Sequence, residues 1–104
     1  MEKRKSQRFR LALPVEITHF QGKRMSRAAK TREIGSGGLT FSTEREVTPG
    51  GCMEFVTTLM DGKRVVRIRC KGVVLRVHKE HIDGTDSFQV TVTIDRYEFL
   101  RSPQ

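Results

Sequence analysis

The sequence predicts an all-β protein, a small antiparallel barrel of six or seven strands with a short C-terminal helix. Three observations carry that expectation. Apolar residues recur with a period of two along most of the chain, the signature of strands with one buried face. Turn signals at Gln21-Gly22, Asp61-Gly62 and Asp83-Gly84 punctuate the alternating runs. No long helical pattern lies between them, and short strands with regular turns are best covered by closing the sheet on itself.

The elements follow in order. In "LALPVEITHF", Leu11, Leu13, Val15 and Ile17 share one face and Glu16 and Thr18 the other. Pro14 cannot donate to a ladder, which points to an edge position for this strand. "RMSRAAKTREI" fits helical spacing as well as a strand, and its neighbours argue for a strand. "LTFSTE" is a short strand closed by Thr48-Pro49-Gly50-Gly51. "CMEFVTTLM" alternates Met53, Phe55, Thr57 and Leu59 against polar or mixed neighbours, and Asp61-Gly62 then turns the chain with both central residues at positive φ. In "KRVVRIRCKGVVLRVHKE", Val66, Ile68 and Cys70 face one way, and after Gly72 the apolar set becomes Val73, Leu75 and Val77. Gly72 therefore reads as a bulge or bend that lets one strand serve two sides of a barrel. "SFQVTVTI" puts Phe88, Val90, Val92 and Ile94 inward. "DRYEFLRS" reads as a helical turn or two, with Asp95 as its N-cap and Phe99 or Leu100 docking on the barrel.

At 104 residues the chain fits one domain: a flexible basic arm over 1–10 and a single barrel over 11–104. Charges follow Met1 directly and no apolar run approaches the roughly 20 residues of a spanning helix, so a cytoplasmic protein without membrane insertion is expected. Cys52 and Cys70 form no C-x-x-C pair and read as two reduced cysteines. The net charge of +8 is concentrated: residues 1–32 hold ten Lys or Arg against Glu2 and Glu16, whereas residues 33–104 hold ten basic and ten acidic side chains. Such a field draws phosphates, nucleic acid, an acidic surface or an acidic protein.

Catalytic patterns are lacking. Cys70, His78 and His81 match no common metal spacing, no Ser–His–Asp order stands out, and "GSGGLTF" lacks the Lys-Ser/Thr of a phosphate loop. The chain reads as a binding protein rather than an enzyme, with no metal and no cofactor. Arg4 and Arg8 bracket three residues just before the first long strand. Each guanidinium offers a planar fork of donors for phosphate oxygens or a guanine edge, and a flat face for stacking.

"RKSQRFRLALPVEI" followed by "TREIGSGGLTF" resembles the PilZ domain, a small bacterial barrel that binds cyclic di-GMP. The R-x-x-x-R motif, five residues and Pro-Val of that family are matched by Arg4, Arg8 and Pro14-Val15. Its second motif, D/N-x-S-x-x-G, aligns with Glu33 to Gly38, and its third feature with "GVVLRV" at Gly72. The likeness runs from Glu2 to about Tyr97. It implies that Arg4 and Arg8 contact guanine and phosphate, with Gly38 as a close-approach glycine. Glu33 stands where the family has Asp or Asn, and Gly35 where it has Ser. Ser36, the next residue, could substitute for the lost hydroxyl, and Arg76 lies where some members put a residue against the ligand.

The resemblance thus implies a stand-alone cyclic di-GMP receptor in which the arm closes over the ligand and an effector protein reads the change. The alternative is a PilZ-fold interaction module that no longer binds the nucleotide. A third reading, a basic barrel binding nucleic acid through Arg67, Arg69 and Lys71, is disfavoured by six Phe, one Tyr and no Trp, most of them on the expected core face.

Overall fold

The alternation is realised as eight strands in the computed structural model, which describes residues 8–35 and 37–100. They are β1 (Arg8–Phe9), β2 (Pro14–Phe20), β3 (Lys23–Gly35), β4 (Gly38–Thr43), β5 (Cys52–Asp61), β6 (Arg64–Ile82), β7 (Thr85–Thr93) and β8 (Arg96–Leu100). Every pairing is antiparallel. Six strands form the wall in the order β3-β2-β5-β6-β7-β4, and β4 pairs back onto β3 to close it. Two short strands are added outside that ring: β1 on the end of β3 and β8 on the first half of β6. The core is the inward set of the alternation, chiefly Val15, Ile17, Phe41, Met53, Phe55, Val74, Val90 and Val92. Each fully buried side chain of this size contributes roughly 1.5–3 kcal/mol relative to exposure.

Turn chemistry sets the hairpins. Gln21-Gly22 and Asp83-Gly84 have positive φ at both central positions, as two-residue hairpins of this hand require. The third hairpin differs by one residue from the expectation. Asp61 pairs with Arg64, so Gly62-Lys63 form the loop with Gly62 alone at positive φ. Glycine at the first central position suits the turn in which only that residue is left-handed.

Three further expectations are corrected by long-range pairing. Pro14 does not mark an edge: β2 lies between β3 and β5, and Pro14 is its first residue, where a missing donor interrupts nothing. Its carbonyl accepts from the Thr57 hydroxyl at 3.1 Å. The expected C-terminal helix is instead strand β8. The first half of β6 has β5 on one side only, and residues 96–100 pair with its open edge at Arg67–Lys71. That placement lays Tyr97 opposite Cys70 and Phe99 opposite Ile68.

The third correction concerns β6, a single strand of 19 residues. Its phase does not change at Gly72; Val74 is 1% exposed and continues the inward row of Ile68 and Cys70. The irregularity lies between Val74 and Arg76, so Leu75, expected inside, is 60% exposed. Gly72 has a different task. The link from β7 to β8 crosses it, with Val73 N–H donating to the Thr93 hydroxyl at 2.8 Å and Asp95 N–H to the Lys71 carbonyl at 2.8 Å. A Cβ on Gly72 would lie 1.7 Å from the Thr93 carbonyl oxygen, so only glycine allows that crossing.

Candidate functional site

Two bulges build the site. Along β3, Thr31 is buried and Arg32 is exposed, so strict alternation would turn Glu33 inward. The register shifts between Thr31 and Glu33, and Glu33 becomes the partner of Thr40 on the outer wall. On β6 the extra residue between Val74 and Arg76 likewise sets Arg76 opposite Thr91. Thr40 and Thr91 are themselves partners, with their hydroxyls 3.3 Å apart. The outcome is a polar row, Glu33–Thr40–Thr91–Arg76, across four adjacent strands.

A cleft of about 170 Å³ opens along this row, lined by Glu33, Gly35, Gly37, Gly38, Leu39, Thr40, Leu75, Thr91 and Val92. It brings together Glu33, Gly35 and Gly38 of the expected site residues. Arg76 stands beside the cleft, exposed and in line with Thr91, but does not line it. Arg8 is the Cα partner of Gly35, which sets the start of β1 along the same end of β3. Arg4 and Ser36 lie outside the described residues.

Thr31 ties the incoming chain to this place. Its backbone N–H donates to the Leu13 carbonyl at 2.9 Å, and its hydroxyl accepts from Leu13 N–H at 2.8 Å. The same hydroxyl donates to the Leu11 carbonyl. With Phe9 paired to Ile34, the segment between β1 and β2 is held against β3 at both ends.

Gly38 acquires a structural reason independent of any ligand: a Cβ there would lie 2.3 Å from the Val92 carbonyl oxygen. Leu75, Thr40 and Thr91 were not expected at the site. Alternation along one strand signals that a threonine faces outward, but not which residue lies opposite it. Leu75 reads from the sequence as one of the apolar set after Gly72, because nothing local reveals the bulge.

The basic row Arg67–Arg69–Lys71 is partly compensated. Arg69 has Glu98 at 3.7 Å and Lys71 has Glu54 at 3.7 Å. Among the described residues no group of three or more His, Cys, Asp or Glu is placed to hold a metal. Cys52 is exposed and Cys70 buried, both as free thiols, and burial pushes the Cys70 thiol up to about 11. At the β6–β7 turn, the hydrogen bond from His81 and then the charge of Lys79 hold Asp86 below the usual carboxylate range.

Comparison with known proteins follows the same outline. The family model of the PilZ domain matches residues 2–99. The solved structure of Bacillus subtilis Inhibitor of motility (MotI/DgrA) superposes with a TM-score of 0.70 at 15% sequence identity. The match covers 88% of this chain but 43% of that one, so the chain spans less than half of that protein's length, and the likeness is one of fold. No curated protein matches the sequence.

Proposed function

The chain belongs to the PilZ domain family, and from that premise we propose that it is a receptor for cyclic di-GMP that relays ligand binding to a partner protein. PilZ domains are binding domains, and the fold is shared with MotI/DgrA, an inhibitor of motility by name. The observation that carries the reading is the polar row from Glu33 to Arg76, flanked by Gly35 and Gly38 and lying next to the start of β1. In this reading Arg4 and Arg8 close over the ligand, their guanidinium groups gripping phosphate oxygens and guanine edges. The Glu33 carboxylate accepts from guanine N1–H and N2–H, Ser36 takes up part of the hydrogen bonding that Gly35 cannot provide, and Arg76 faces the ligand from the far end of the row. The cleft seats one portion of the nucleotide, and the N-terminal arm covers the rest.

Glu33 and Gly35 favour a second reading, an interaction module without the nucleotide. A missing hydroxyl costs about 0.5–1.5 kcal/mol, roughly three- to tenfold in affinity. That magnitude weakens a site held by two arginines rather than abolishing it. Calorimetric titration of the wild type and Arg8→Ala with cyclic di-GMP decides between them. Binding in the micromolar range that drops by at least about tenfold in the variant supports the receptor. No heat from the wild type at millimolar ligand supports the module.

A further inference from the structure

We propose that the open edge of β3 from Lys23 to Ala29 is a docking site for an extended acidic segment of a partner protein, which joins the barrel wall as an added strand. β3 is 13 residues long, yet β4 pairs with it only between Lys30 and Ile34. Beyond Ser42, β4 stays with β7 through Thr43 and Phe88, and the wall parts. A groove of about 730 Å³ lies between the two strands, with Arg27 and Ala28 on one side and Thr43 and Arg45 on the other.

The backbone of this edge is available. Thr31 N–H points toward β2, where it donates to Leu13. Amides alternate along a strand, and the β2–β3 register is continuous from Ile17–Arg27 to Pro14–Lys30. Ala28 N–H and C=O therefore point the other way, into the groove. A row of unpaired backbone groups on a sheet edge is a template for another strand.

Charge selects which strand. Lys23, Arg24, Arg27 and Lys30 follow one another with no acidic residue between them. None of these four, nor Arg45 across the groove, has a carboxylate partner among the described residues, and Glu44 is the single acidic group of the lining. Arg32, Arg69, Lys71 and Lys79, by contrast, each have a carboxylate within 3.2 to 3.7 Å. Uncompensated like charges keep a second copy of this edge away and favour an acidic strand. Nucleic acid would use the cations but has no use for the amide edge. The proposal goes beyond nucleotide binding, because none of these groove residues lines the cleft at Gly38.

The test uses the full chain without nucleotide and a fluorescent decapeptide of alternating glutamate and valine, followed by anisotropy. The peptide is expected to bind, and Arg27→Gln with Arg45→Gln is expected to weaken it by about tenfold or more. A peptide of the same charge, N-methylated at every residue, is expected to lose about tenfold, because neither of its edges keeps the amides that pair with β3. On the wild-type protein, saturating peptide is expected to slow amide hydrogen exchange at Ala28. The proposal is overturned if the N-methylated peptide binds as well as its parent, if Ala28 exchange is unchanged at saturation, or if a lysine–valine peptide binds equally. Tighter binding of a ten-nucleotide thymidine strand than of the acidic peptide also overturns it and assigns the basic edge to nucleic acid.

Discussion

Glu33 and Arg76 reach the outer wall because one extra residue precedes each of them, Arg32 in β3 and Leu75 in β6. The two charged groups that end the polar row are therefore placed by backbone geometry rather than by their own preferences. Glycine acts in the same way at Gly72, whose α-carbon faces the Thr93 carbonyl. Gly72→Ala should destabilise the protein by about 2–4 kcal/mol, read as a shift of the urea midpoint, because the backbone of the β7–β8 link has to move. A midpoint unchanged from wild type would show that the crossing yields freely. Cys70 offers a pH-dependent check. Its thiol is raised from an ordinary 9.0 to about 11, so the native state holds the proton more tightly than the unfolded chain. Its contribution is intact below pH 9.0 and lost as pH rises through about 11, a decline of up to about 2–3 kcal/mol. Denaturation at pH 8 and pH 11 should show that slope in the wild type and a shallower one in Cys70→Ala. In the native state iodoacetamide should label exposed Cys52 and spare Cys70.

Strands gain their places from partners that are distant in sequence. β8 takes the open edge of β6, where Tyr97 and Phe99, the strand partners of Cys70 and Ile68, meet edge to face at 6.0 Å with both rings largely exposed. A free segment of the same composition could have coiled into a helix, but here an unpaired ladder is waiting. β1 depends on β3 likewise, through two residue pairs and the Thr31 hydroxyl that holds Leu11 and Leu13. Thr31→Val keeps the shape and removes both hydroxyl bonds, leaving Leu13 N–H without its acceptor. It should cost about 1–3 kcal/mol in stability. Arg8, the partner of Gly35, should lose its register with the cleft as the segment loosens, so cyclic di-GMP affinity should fall as well. Calorimetry on the variant at a temperature where it is fully folded separates the two effects; unchanged affinity would detach β1 from the ligand site.

The barrel carries its positive excess in residues 1–32, and within it β3 presents five cations, Lys23, Arg24, Arg27, Lys30 and Arg32, before the first acidic residue. That field opposes compaction and attracts anions at once. Raising ionic strength from about 20 to 200 mM should increase the melting temperature by about 2–5 °C through screening, while weakening any bound anion. A melting temperature that falls with salt would mean that attractive pairs, such as Arg32–Glu80 at 3.2 Å, outweigh the repulsion. Closure of the wall gives both proposed sites their positions: the cleft lies where β3 and β4 are paired, and the groove lies where they separate.

Strand content, the hairpins at Gln21-Gly22 and Asp83-Gly84, and the buried row of β7 were legible in the chain, because side-chain alternation and left-handed turn residues are local properties. So was the spacing of Arg4, Arg8, Glu33 and Gly38 that led to the PilZ family, now matched over residues 2–99. The company those residues keep was not legible. Thr40, Thr91 and Leu75 join Glu33 through register across β3, β4, β7 and β6, and register depends on where bulges relieve the coiling of a closed sheet. Pro14 at the start of an inner strand, Leu75 outside the core and residues 96–100 as a strand share one cause. Each was settled by a partner more than a dozen positions away, offering hydrogen bonds or apolar cover that no local pattern contains.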